Sequence, residues 1–143
     1  QSLPENVKAI AEDSGYVSPW DALSTKLQKD FGLSSFPFLN AADNLCSIYN
    51  GYSMASSSSL DAVIHSSIPT LFIHGSEDSL VPLHDMERLY ASANCPKQKL
   101  VIEGAGHAQC AYTDPDLYWY EMQKFFSTHM DEALSGDPIE TGS

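Results

Sequence analysis

Positive charge is scarce in this chain. Seven Lys and Arg stand against nineteen Asp and Glu, for a net charge of −12. Nucleic-acid binders cluster Lys and Arg on phosphates, so no nucleic-acid partner is expected. The same shortage argues against binding an anionic membrane surface. Long apolar runs are missing too, and none approaches the ~18 residues of a membrane-spanning helix. Gln1 opens no signal-peptide pattern. Cysteine is sparse. Cys46, Cys95 and Cys110 match no zinc or redox spacing, and an odd count argues against a disulfide framework. They are expected as buried or incidental thiols. No His-Glu-x-x-His or Cys-rich ligand spacing occurs, so neither metal nor cofactor is expected. What remains is a chain of 143 residues, 43% hydrophobic, enough for a compact domain with a real core.

Periodicity divides the chain into elements. Val7–Asp13 reads as a strand ending in the turn-like Asp13-Ser14-Gly15. Pro19-Trp20-Asp21 opens a helix to about Asp30, because proline suits a first helical turn, and Leu23, Leu27 and Phe31 share one face. Residues 31–59 are less regular. A short helix over Ala41–Tyr49 is expected there, and the run Ser56–Ser59 reads as a loop with a helix cap. Leu60–His65 is a short helix. Beyond it the pattern sharpens. Thr70–His74 is a strand and Leu83–Asn94 a helix with Met86, Leu89 and Ala93 on its inner side. Lys99–Glu103 is a strand, and Asp116–His129 a helix with Trp119, Met122, Phe125 and Phe126 inward. Residues 131–143 are expected to form a flexible acidic tail. Strand–helix alternation with unbroken apolar strands predicts an α/β fold: three parallel strands flanked by helices. Three strands are few for a doubly wound domain, so the sheet is expected to be part of a larger one.

Two strand-end motifs carry the chemistry. The first runs Ile68-Pro69-Thr70-Leu71-Phe72-Ile73-His74-Gly75-Ser76-Glu77-Asp78. The second runs Lys99-Leu100-Val101-Ile102-Glu103-Gly104-Ala105-Gly106-His107. Each is an apolar run that stops at glycine and then presents one titratable residue. Sites in open α/β sheets gather beyond the carboxyl ends of strands. An acid behind a histidine fixes the imidazole tautomer and stabilises the imidazolium. Asp78 and His107 are therefore the candidate catalytic pair. Asp13 also ends a strand and is the rival acid, with a turn role weighed against it. His74 is expected to be packed or hydrogen-bonded. Gly51-Tyr52-Ser53-Met54-Ala55 imitates a nucleophile elbow, but such an elbow must join a strand to a helix, and residues 45–50 make a poor buried strand.

The Gly-x-x-Asp and Gly-x-Gly-His motifs, in that order, resemble the last two catalytic loops of the α/β-hydrolase superfamily. Val7–Trp20 is similar to the segment after the nucleophile helix in bacterial cell-surface or serine-aminopeptidase-like hydrolases. Asp114-Pro115-Asp116-Leu117-Tyr118-Trp119 is similar to the start of their last helix. The resemblance implies that residues 1–130 are the C-terminal portion of such a domain, with 31–59 as a cap-like insertion. It implies Asp78 as triad acid, His107 as triad base, and Tyr16 and Trp20 near the substrate entrance. The elbow and the oxyanion donors would lie in a segment preceding the strand that Val7–Asp13 resembles. The expected partners are then a small-molecule or peptide acyl substrate, and either the N-terminal part of the same protein or a second copy meeting an exposed sheet edge. The expected activity is hydrolysis of an ester, amide or related acyl bond by a serine nucleophile, with this segment inactive alone. An aspartate nucleophile and a non-catalytic binding module on the same scaffold are the alternatives. The resemblance also implies a surface-exposed protein with an N-terminal anchor.

Overall fold

The computed structural model of the chain describes residue 4 and residues 6–135. Strands β1 (Ile10–Asp13), β2 (Thr70–Gly75) and β3 (Lys97–Ile102) form a parallel sheet in that order. The helices are α1 (Pro19–Phe31), α2 (Phe38–Asn50), α3 (Ser59–His65), α4 (Leu83–Ser92), α5 (Cys110–Thr113) and α6 (Pro115–Ser135). The central strand β2 is buried along its whole length. Its alternating side chains feed two cores. Leu71 and Ile73 pack with Leu100, Ile102, Tyr118 and Phe125 on the α6 side. Phe72 packs with Val17, Met86, Leu89 and Ala93 on the α4 side. Full burial of side chains this size stabilises by about 1.5–3 kcal/mol each, which makes β2 the rigid reference for the loops at its end.

Local signals set the helix ends. Ser18 caps α1 by accepting the Asp21 amide over 3.3 Å, with Pro19 in the first turn, and Gly32 closes the helix at φ +65°. Ser58, from the serine run, caps α3 by accepting the Asp61 amide over 3.2 Å.

The differences from the sequence expectation have physical causes. β1 begins at Ile10 rather than Val7, because Ile10 is the residue that registers with Thr70 at the start of β2, and Pro69 before it has no N–H to extend the ladder. The cap-like region holds a helix of thirteen residues, α2, that begins directly after Pro37 rather than at Ala41. The Phe36–Pro37 peptide is cis. On α6, Tyr118 faces the core and Trp119 is 57% exposed. The inner stripe runs through Tyr118, Met122 and Phe125, so Trp119 is turned away and meets Tyr118 edge-on. α6 also continues through Ser135, into the segment expected as tail. The remainder of that tail lies outside the described residues.

Candidate active site

The turn after β2 delivers Asp78. Its Oδ1 accepts the backbone amides of Leu80 at 2.9 Å and Val81 at 2.8 Å, an Asx-type closure that aspartate makes readily. Its Oδ2 accepts from His107 Nδ1 at 2.9 Å. His74 Nε2 stands 3.4 Å from the same oxygen and donates to the Val81 carbonyl over 2.9 Å. The Asp78 side chain is fully buried. Burying a carboxylate is costly unless donors surround it, and here two amides and an imidazole donate to it directly.

The turn after β3 delivers His107. Two features bring it to Asp78. Gly104 adopts φ +74°, the left-handed conformation that suits glycine. Gly75 lets the end of β2 lie directly against this loop, for a Cβ there would sit 2.2 Å from the Ala105 carbonyl oxygen. Gly106 needs no such freedom of φ, and a Cβ on it would meet only the flexible side chain of Gln109. The two loops are laced together, Glu77 N–H donating to the Ala105 carbonyl over 3.0 Å and Gly104 N–H to Ser76 Oγ over 2.8 Å.

This arrangement settles the tautomer. Nδ1 of His107 carries the proton that Asp78 accepts, so Nε2 is the nitrogen left to take a proton from a nucleophile. His107 is 36% exposed and forms part of the wall of a cavity of about 550 Å³, within the size range of small-molecule sites. Tyr16, Leu23, Tyr52, Met54 and Val81 line it as well. Among the described residues none of its walls carries an Asp, Glu, Lys or Arg side chain. Tyr16 thus lines the same cavity as His107, whereas Trp20 is half-buried in α1 and outside the cavity wall.

The rival residues are placed elsewhere. Asp13 accepts from Ser14 Oγ at 2.9 Å and from the Tyr118 hydroxyl at 3.2 Å, so it serves β1 and α6 instead of His107. Ser53 donates to Asp43 over 2.8 Å, in a turn that follows helix α2. The strand that an elbow requires is not there. Cys110 is near His107 in sequence, but its thiol is fully buried. Burial, with Asp13 nearby, pushes its pKa up to about 12, the opposite of what a nucleophilic thiolate needs. Among the described residues no group of three His, Cys, Asp or Glu is arranged to hold a metal.

Sequence reasoning left two contributors unassigned. His74 is packed and hydrogen-bonded as its place before the turn glycine predicts, but its approach to Asp78 Oδ2 carries no sequence signal. Ser14 was read as a turn residue, but its Oγ accepts the Ala108 amide over 3.1 Å. The sole signal for it was its place beside Asp13 at a strand end.

Known proteins share this architecture. The pattern of the alpha/beta hydrolase fold family matches residues 4–112. The chain is 29% identical over 111 residues to the uncharacterised protein YqkD of Bacillus subtilis, covering 78% of this chain and 36% of that protein. It is 42% identical over 65 residues to the uncharacterised protein YfhR of Salmonella typhimurium, covering 44% of this chain and 22% of that one. The chain therefore spans about a third or less of the length of these curated relatives. Among solved structures, an esterase of Pyrococcus furiosus superposes with a TM-score of 0.56 at 19% identity, covering 85% of this chain and 45% of that one; at that identity the likeness is one of fold. The strand order, the paired loops and the family match together place this chain in the α/β-hydrolase fold family.

Proposed function

We propose that this chain supplies the acid and base of a serine-type hydrolase acting on neutral esters or related acyl bonds. The observation that carries the reading is the Asp78–His107 pair, 2.9 Å apart, set in the wall of an uncharged, mostly apolar cavity. Asp78 holds the imidazole. His107 Nε2 removes the nucleophile's proton and returns it to the leaving group, through a covalent acyl intermediate. Nucleophile and oxyanion donors come from residues outside this chain, in the N-terminal part of the same protein. The finer placement, among cell-surface or serine-aminopeptidase-like hydrolases, rests on the Val7–Trp20 and Asp114–Trp119 segments.

A fluorophosphonate probe applied to the longest natural polypeptide tests this. Covalent labelling of one serine, lost in His107→Ala with the fold intact, is the expected result. Turnover without labelling, trapped instead on an aspartate, would move the chemistry to the other nucleophile class. Neither labelling nor turnover on short-chain esters would leave a binding module on a hydrolase scaffold.

A further inference from the structure

We propose that Ser14 is a positioning residue for His107, holding from its C-terminal side the loop that carries the imidazole. The proposal rests on the reading of His107 as the hydrolase base.

Ser14 and Ala108 are the two non-glycine residues with positive φ among the described residues, at +61° and +54°. Such a conformation is strained for an L-residue, and strain of this kind clusters where geometry is imposed from outside. Here the two strained residues are bonded to each other, through the Ala108 N–H and Ser14 Oγ at 3.1 Å. Ala108 directly follows His107. Ser14 is 4% exposed, and its own N–H donates to the Ile73 carbonyl over 2.9 Å. One residue at the end of β1 therefore ties together the strand that leads to Asp78 and the loop that carries His107.

The hydroxyl is oriented for this task. Its proton goes to Asp13 Oδ1 at 2.9 Å, leaving its lone pairs to accept from Ala108. Asp13 is held in turn by the Tyr118 hydroxyl at 3.2 Å. On the N-terminal side of His107 the loop is already fixed by Glu77 and Ser76. Ser14 supplies the matching tether on the other side. Glycine would adopt this φ freely, so the hydroxyl is what serine contributes.

The test is Ser14→Gly in this chain, read by the solvent-exchange rate of the His107 Nδ1–H proton resonance and by thermal unfolding. Glycine relieves the backbone strain while removing the tether. The expected result is exchange at least ~10-fold faster, with the midpoint little changed, because a freed loop breaks its bond to Asp78 more often. Unchanged exchange in a folded variant overturns the proposal. Should that variant fail to fold, Ser14→Ala is read instead. It removes the hydroxyl that accepts from Ala108, and exchange several-fold faster supports the tether while an unchanged rate overturns it. In the longer polypeptide Ser14→Gly is expected to lower kcat ~10-fold or more, with KM within twofold, since small misplacements of a catalytic group fall on the chemical step. Exchange is read without turnover, so a failure of the hydrolase reading and a failure of the tether are separate results.

Discussion

His107 Nδ1 and Asp78 Oδ2 lie 2.9 Å apart although 29 residues separate them in the chain. The bond forms because β2 and β3 are parallel neighbours whose carboxyl ends open on the same side of the sheet. In the active polypeptide Asp78→Asn is expected to cut turnover by about 10⁴-fold, through loss of the tautomer and of imidazolium stabilisation. Steady-state kinetics on an activated ester check this. Activity within tenfold of wild type would remove Asp78 from the triad.

Gly75→Ala is expected to part the loops that carry Asp78 and His107. The new methyl would lie 2.2 Å from the Ala105 carbonyl oxygen and 2.9 Å from that of Gly106. Both are backbone atoms, so one loop must shift. Overpacking of this kind costs about 1–3 kcal/mol. Urea unfolding should show that loss. A stability equal to wild type would mean that the close approach of β2 to the His107 loop is wrongly described.

Glu12 gives the fold a pH dependence. Both of its carboxyl oxygens are buried without a well-formed hydrogen bond, the Gly15 amide giving them only a partial one. Burial raises its pKa from 4.5 to about 7, the Gly15 amide offsetting part of that and Asp13 adding to it. The folded chain thus keeps a proton that the unfolded chain releases. Stability present below pH 4.5 is lost as the pH rises through 7, by up to about 3 kcal/mol. Glu12→Gln should match wild type near pH 4.5 and exceed it at pH 8. Unfolding curves for the two that stay parallel across this range would refute the assignment.

Cys110 is expected to resist alkylation. Its thiol is fully buried with its pKa pushed up to about 12, whereas Cys46 and Cys95 are only partly buried. Iodoacetamide at pH 8 followed by peptide mass mapping should modify those two first, and all three only after unfolding. Early modification of Cys110 in the folded chain would contradict its burial.

The elements with strong local signals were legible from the residues. Apolar runs ending in glycine located β2 and β3, and proline in a first helical turn located the start of α1. The inner face of α4, through Met86 and Leu89, follows from a 3.6-residue period. Trp119 shows where that reasoning runs out. Tyr118 and Trp119 are adjacent on α6, and periodicity assigned the inner face to Trp119, whereas the structure gives it to Tyr118. The choice fell to Tyr118, whose hydroxyl reaches Asp13.

The residue order by itself determined that an acid and a histidine end successive strands, because glycine and apolar runs act over a few residues and keep their meaning in any context. Only the tertiary structure decided that Ser14 accepts from Ala108, 94 residues away, and that Tyr118 reaches Asp13 across 105. Those contacts exist through the sheet register and the packing of α6 on it. No local propensity encodes which strand ends become neighbours, so the partners around the Asp78–His107 pair came into view only with the fold.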